Sequence, residues 1–497
     1  MNPTEAPTRR AVVIGGGIAG LAAAYALRQG ARAQNLPLTI TLYESQPRLG
    51  GKIVTEQVDG FTIEGGPDSY IRQKPWATQL IQKLGLSSEI AGTNDDRRKV
   101  FVVNRGRLTP LPDGVMLIIP TRIWPFVTSP LISWPGKIRM GMDWFIPARP
   151  GDDDESLGDF IRRRLGREAL EKIAEPLMSG IHVSDPEMQS LLGTFPRFRE
   201  IEKKYGSLTR GMLAQRKAAQ KNGHGATATQ GGGNLPTSMF LTLRGGLAQL
   251  VTALEQALAG EEIRAGCAVT GLTPLGGGRY RVDAQDGSSV EADAVILASP
   301  AFAAGALVLP FAPELGRMLN AIRYVSTATI SLAFREEDVK GAPQGFGFVV
   351  PKKEARQISA CTMTSIKFSH RAPDGAALLR CFVGGPGREA MVDLDDKALV
   401  AIARAELADL MNIRAEPLLT RIYRWHQSNP QYDVGHLDRV RQMHELCRAV
   451  PGLYLAGGAY EGVGIPDCVR QGEQAAQKAL AHLTAQPAHE KLPAAQV

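Results

Sequence analysis

The hexapeptide Gly15-Gly16-Gly17-Ile18-Ala19-Gly20 stands between an apolar run, Arg10-Ala11-Val12-Val13-Ile14, and a strongly helical one, Leu21-Ala22-Ala23-Ala24-Tyr25-Ala26-Leu27. With a strand before it and a helix behind it, a G-x-G-x-x-G turn lets the backbone come close to a pyrophosphate. The amino end of the helix adds amide donors and a partial positive charge. A second strand, Leu38 to Tyr43, ends at Glu44, where a carboxylate can accept from both hydroxyls of a ribose. Glu44 lies 24 residues past Gly20, a little beyond the usual interval, and an extra turn of helix near Gln29 to Asn35 absorbs the difference. These features predict a βαβ unit and a Rossmann-like dinucleotide-binding domain of the α/β class.

The chain has 497 residues, enough for two or three interleaved domains. Its 44% apolar and 22% charged content excludes disordered, collagen-like and coiled-coil classes. Lys plus Arg less Asp plus Glu is 57 − 50 = +7, which favours anionic partners but not nucleic acid. The five cysteines form no C-x-x-C pair, so zinc clusters and disulfide frameworks are not expected and a reducing, cytoplasmic setting is. The longest apolar runs, such as Val115 to Ile119, stop at prolines far short of the roughly 20 residues of a spanning helix. His182, His426, His436 and His444 have no i, i+4 partner, so a metal site is not expected. No G-x-S-x-G elbow or Cys–His arrangement is present, and no side chain is named as catalytic.

Further along, strands are expected near Ile263, at Tyr280 to Ala284 and at Ala294 to Ala298, and another at Leu453 to Leu455 running into glycines and then a helix over Gln471 to Leu483. The dinucleotide domain is therefore expected to be discontinuous, built from 1–60, 240–300 and 420–485. Residues 61–96 and 300–420 read as an α+β substrate domain, and 97–213 as a helical domain facing substrate or membrane. Arg97 to Arg149 carries nine basic against two acidic residues and Trp124, Trp134 and Trp144. In the helix after Ser156, Leu157, Phe160, Ile161 and Leu165 share one face, and Arg162-Arg163-Arg164 are expected on a solvated opposite face. Ala214 to Gly233, polar and glycine-rich, is expected to be a flexible loop, and 486–497 a disordered tail.

Glu44-Ser45-Gln46-Pro47-Arg48-Leu49-Gly50-Gly51-Lys52 has the form E-x-x-x-R-x-G-G and resembles the second signature of the FAD-dependent amine oxidase superfamily. Gly65-Gly66-Pro67-Asp68-Ser69 occurs where that superfamily passes its chain beneath the flavin. Ala456 to Cys468, with Gly458 and Val463-Gly464-Ile465-Pro466 at its centre and a helix after it, resembles the closing motif of the protoporphyrinogen and coproporphyrinogen oxidase family. So do Glu175 to Ile181, Ser190 to Pro196, Tyr423-Arg424-Trp425-His426 and Pro430-Gln431-Tyr432-Asp433-Val434-Gly435-His436, all closest to the family's soluble bacterial branch. The likeness runs from about residue 10 to about 485.

The resemblance implies FAD, held by Gly15 to Gly20, Glu44, Ser45, Arg48, Gly51, Lys52, Gly66, Pro67, Asp68 and Ser69. It places Val269 on the adenine through its backbone, Trp425 in the flavin shell, and Gly458 and Val463 to Pro466 at the pyrimidine edge. Lys74 and Ile181 would face substrate; a surface lysine is the other reading of Lys74. The implied reaction is oxidation of coproporphyrinogen III to coproporphyrin III in haem biosynthesis, with O2 as acceptor and hydrogen peroxide as product. Protoporphyrinogen IX is the alternative substrate. An amine oxidase, a carotenoid desaturase and an FAD-loaded scaffold without activity are more distant alternatives. Expected partners are the porphyrinogen, O2, a membrane surface touched by the Arg97 to Arg149 segment, and a ferrochelatase-type enzyme receiving the product.

Overall fold

The computed structural model describes residues 8–116, 118–120, 122–221 and 235–485. The elements that carry the argument are, in chain order, β1 (Arg9–Ile14), α1 (Ile18–Ala33), β2 (Leu38–Glu44), α2 (Leu157–Arg164), α3 (Glu175–His182), β3 (Glu262–Ala265), β4 (Ala294–Leu297), β5 (Tyr324–Arg335), β6 (Ala376–Gly384), β7 (Leu419–Pro430), α4 (His436–Arg448), β8 (Leu453–Leu455) and α5 (Ile465–Ala485).

β1, β2, β3, β4 and β8 form one parallel sheet in the order β3-β2-β1-β4-β8. Ala11, Val12 and Val13 of the central strand are fully buried, as the near-continuous apolar runs of a sheet covered on both faces require. α1 and α5 pack on one face: a Cβ on Gly472 would lie 2.2 Å from Ala19 O, and one on Gly30 would lie 2.3 Å from Leu480 Cδ1. These two contacts advance in the same direction along both helices. α1 and α5 therefore run parallel, with both amino ends opening at the carboxyl ends of the strands. α5 begins at Ile465, not at Gln471, so the closing motif supplies the first turn of this helix.

The second sheet has seven strands, in the order β7-β5-β6, then Ala360–Met363, Gly347–Val349, Val100–Asn104 and Arg107–Pro110. It extends beyond the boundaries expected from sequence: β7 runs across residue 420 into the segment expected to belong to the dinucleotide domain, and Val100–Asn104 and Arg107–Pro110 come from the segment expected to be helical. In both places a strand's partner, not its sequence neighbours, decides where it belongs. Phe240–Leu243 likewise leaves the dinucleotide domain to pair with Tyr70–Ile71 and Ile90–Gly92.

The helical unit departs from expectation at the arginine run. Leu157, Phe160, Ile161 and Leu165 are buried as expected, but Arg164 is 0% exposed. Its guanidinium donates to Asp143 Oδ1 at 2.6 Å and to the carbonyls of Asp143, Ile146, Pro147 and Gly206. Arg163 pairs with Glu155 and Glu202, leaving only Arg162 to exposed partners, Asp159 and Glu187. A short helix has room for charge on its buried side when enough acceptors converge there. In the basic segment, Arg139 donates to the carbonyls of Arg162, Arg163 and Arg164, Lys137 to those of Val127 and Ser129, and Arg149 pairs with Glu155. Trp124 and Trp134 are 75% and 64% exposed, with Ile138 and Phe145 beside them in sequence at 66% and 82%. Of the expected loop, residues 214–221 complete the helix Leu208–Lys221, while 222–233 and the tail 486–497 lie outside the described residues.

Candidate active site

The glycine turn is built by close approach. A Cβ on Gly20 would stand 1.9 Å from Gly15 O, and one on Gly15 2.7 Å from the Ala298 backbone, so these two glycines let turn, helix and sheet fit together. Gly17 differs: a Cβ there meets nothing within 4 Å, and its φ of −70° suits any residue. It faces open space at the amino end of α1.

Glu44, at the end of β2, accepts from Gly16 N at 2.7 Å and from Gln46 N at 2.8 Å. It holds the turn and leaves lone pairs for a ribose. The second signature folds back onto the first, with Gly50 N donating to Gly16 O at 2.8 Å and Gly51 lying against Gly17. Arg48 braces this loop through the carbonyls of Leu49, Gly51 and Ile53, and Lys52 donates to Ser428 O. Ser45 donates to Glu44. The segment leading into Val269 runs beside Glu44, since Cys267 N donates to Glu44 O and Gly266 N to Gln46 O. Ser299 Oγ, enclosed beside Gly15, has no hydrogen-bond partner among the described residues.

Gly65-Gly66-Pro67-Asp68-Ser69 is fixed from below. Gly65 O accepts from Trp425 Nε1 at 2.9 Å, from Thr329 Oγ1 at 3.1 Å and from Arg380 Nη2 at 3.1 Å, and Arg380 also reaches Gly66 O at 2.6 Å. Asp68 accepts from Lys367 at 2.9 and 2.8 Å and from Ser69 Oγ. Burial opposes ionisation of Asp68, but Lys367 and Arg380 outweigh it and hold the carboxyl down to about 2. Sequence reading found Trp425 and missed Thr329, Lys367 and Arg380, which lie on distant strands or beside them and carry no motif.

At the other end, the closing motif enters α5. The first turn of a helix leaves amide donors without intrahelical partners and concentrates partial positive charge. Here that turn contains Ile465, Pro466 and Asp467, with Val463 and Gly464 just ahead of it, and a Cβ on Gly458 would come no nearer than 3.5 Å to any neighbour. Lys74 pairs with Asp467 at 2.5 Å. The lysine is half exposed and tied to the first turn of α5. His182, at the carboxyl end of α3, has its pKa pushed down to about 4 by burial and by Lys74. Ile181 lies in α3, and its side chain is outside the described residues.

Two parallel helices thus present their amino ends at one rim of a parallel sheet, with an unfilled approach at Gly17 and a hydroxyl at Ser299 that is unpartnered among the described residues. Such a cradle fits an elongated ligand with anionic phosphates near α1 and an electron-poor ring near α5. The family model described as flavin containing amine oxidoreductase matches residues 18–480.

The chain belongs to this family.

For the flavin-containing amine oxidoreductases membership implies a flavin cofactor, and the cradle accommodates one. The chain is 42% identical to the coproporphyrinogen III oxidase of Bacillus subtilis, covering 96% of this chain and 98% of that protein. It is 37% identical to the coproporphyrinogen III oxidase of Propionibacterium freudenreichii, over 96% and 92%. A crystal structure from Exiguobacterium sp. 255-15, of a protein with a provisional protoporphyrinogen oxidase name, is 35% identical and matches with a TM-score of 0.84, over 97% of this chain and 100% of that one.

Proposed function

We propose that the protein binds FAD and oxidises coproporphyrinogen III to coproporphyrin III, passing electrons to O2 and releasing hydrogen peroxide. The observation that carries this reading is the pair of parallel amino ends, of α1 and α5, bracketing the Gly17 opening. Glu44 would hold the adenosine ribose and Val269 the adenine, the amino end of α1 the pyrophosphate, and the first turn of α5 the pyrimidine edge. A bound flavin supplies a two-electron acceptor for hydride leaving the sp³ bridges of the macrocycle. The chain's own part is positioning: Arg380, Trp425 and Thr329 fix the floor at Gly65, and the α5 amino end favours negative charge developing beside it. Aromatisation of the macrocycle supplies the driving force, so no side-chain base is assigned.

Coproporphyrinogen III carries four propionates and calls for a more basic pocket than protoporphyrinogen IX; its choice is supported by the two coproporphyrinogen III oxidase relatives more than by the Arg97 to Arg149 segment, since Lys137, Arg139 and Arg149 are turned to internal partners. Turnover of coproporphyrinogen III and protoporphyrinogen IX, assayed side by side with peroxide quantified, tests the reading. A protein that is faster on protoporphyrinogen IX overturns the substrate; one that takes up no FAD overturns the whole.

The exposed Trp124, Trp134, Ile138 and Phe145 support a second element, peripheral contact with a membrane from the cytoplasmic side. Among the described residues no helix is long and apolar enough to cross one. Sedimentation with anionic vesicles, lost in Trp124→Ser/Trp134→Ser, tests it. A ferrochelatase-type enzyme would then consume the product.

A further inference from the structure

The stretch 430–436 links the substrate-side helices to the closing motif. Tyr432 Oη donates to Gly458 O at 2.8 Å and accepts from Gly462 N at 2.8 Å, tying the two ends of the turn that precedes α5. His436 stacks on the Tyr432 ring, with centroids 3.9 Å apart and planes 10° from parallel, and its Nε2 donates to Tyr460 O at 2.8 Å in the middle of the same turn. Both side chains are buried. Gly462, with φ of +114°, holds a conformation that side chains resist, so the turn has one favoured shape only while it is pinned.

The pinning residues are themselves anchored on the far side. Tyr432 O accepts from Ser190 N at 2.7 Å, Asp154 Oδ2 accepts from both Ser190 Oγ and Gly435 N, and Gln431 Nε2 donates to Val183 O just past α3.

We infer that Tyr432 and His436 are positioning residues, a two-ring clamp that sets the 458–462 turn and thereby aims the amino end of α5 at the flavin. The role toward the flavin rests on the function proposed above; the clamp itself does not. Tyr432→Phe keeps the ring and removes the hydroxyl, and two measurements read the result. Hydrogen exchange of the peptide spanning 456–468, followed by mass spectrometry without added cofactor, is expected to quicken several-fold. In the FAD-loaded variant, equilibrated with a redox dye, the oxidised-to-reduced flavin ratio is expected to rise about three- to tenfold, the scale of one or two lost neutral hydrogen bonds.

Unchanged exchange overturns the clamp. Faster exchange with an unchanged flavin ratio overturns its role toward the cofactor, because a purely structural residue would loosen the turn without moving that equilibrium. If Tyr432→Phe does not fold, His436→Phe, which retains a stacking ring and loses the donor to Tyr460, is read by the same two criteria. Wild-type protein that takes up no FAD counts against the proposed function, while the exchange comparison still decides the clamp.

Discussion

Lys74 Nζ stands 2.5 Å from Asp467 Oδ2, joining positions 393 residues apart in the chain. Asp467 lies in the first turn of α5 and is nearly buried, whereas Lys74 is 44% exposed at its side chain. The ammonium offsets the negative charge of a nearly buried carboxylate in the first turn of α5.

Lys74→Met is therefore expected to lower stability by about 1–2 kcal/mol, a modest cost because the lysine is half exposed. Lys74→Met/Asp467→Asn should recover most of it, since no charge is then left unpaired. Urea denaturation of both variants and wild type checks this. A lysine that only reads substrate would leave the midpoint unmoved and raise KM alone.

Gly17 and Gly20 sit in one motif and should fail in different ways. Gly17→Ala faces open space, so the variant is expected to fold with a wild-type unfolding midpoint and to hold FAD at least tenfold less tightly, the new methyl group intruding where phosphate approaches. Gly20→Ala would press a methyl group into Gly15 O and is expected to yield little folded protein. Ultrafiltration of bound flavin together with thermal melts separates the two. A Gly17→Ala protein with full FAD would remove Gly17 from the cofactor site.

The arginine run should divide just as sharply. Asp143→Ala leaves Arg164 charged and enclosed and is expected to cost about 3–5 kcal/mol, the scale of breaking a buried pair. Arg162→Ala loses only exposed partners and should stay within about 0.5 kcal/mol of wild type. Equal midpoints for the two variants would contradict the burial of Arg164.

Three histidines make stability fall in mild acid. His182, His370 and His436 each have a pKa pushed down to about 4, by burial first and then by Lys74, by Arg371 with Arg244, and by Arg439 respectively. Because the folded pKa is depressed, the unfolded chain takes up protons first. Stability is therefore unaffected above about pH 6.5 and is lost progressively between there and about pH 4. At pH 5 each contributes a loss on the order of 1–2 kcal/mol. Denaturation at pH 7.5 and 5.0 should show the drop, with a smaller one in His436→Gln. A flat profile over that range would mean that these imidazoles take up protons as readily in the folded protein as in the unfolded chain.

The sequence revealed the parts of the site that are local. β1, the glycine turn, α1 and Glu44 follow one another, and each has a chemical reason to stand where it does. The Gly50-Gly51 loop was recognisable as a signature, but that it pairs back onto Gly16 is a tertiary fact. Two supports of Gly65 were out of reach: Thr329 and Arg380 are ordinary strand residues until β5 and β6 line up with β7 beneath the loop, whereas Trp425 was named only through its motif, Tyr423 to His426. Arg164 was misread because helical periodicity reports which face is apolar, and it is blind to a carboxylate such as Asp143 arriving from another segment. The start of α5 was placed late because glycines and a proline at 462–466 read as a turn, although proline suits the first turn of a helix.

The order of the strands in the parallel sheet bears on how the protein is made. β1 leaves the ribosome early, yet its neighbour β4 follows some 280 residues later, and β8 and α5 come at the end. A growing chain cannot close the sheet's far edge or bring α5 against α1 until synthesis has passed Leu480. The apolar stripe of α1 must wait, covered by other contacts or by chaperones. A polypeptide ending between Lys52 and Ile465 keeps the glycine turn and the Glu44 to Lys52 loop but lacks the second helix amino end of the cradle.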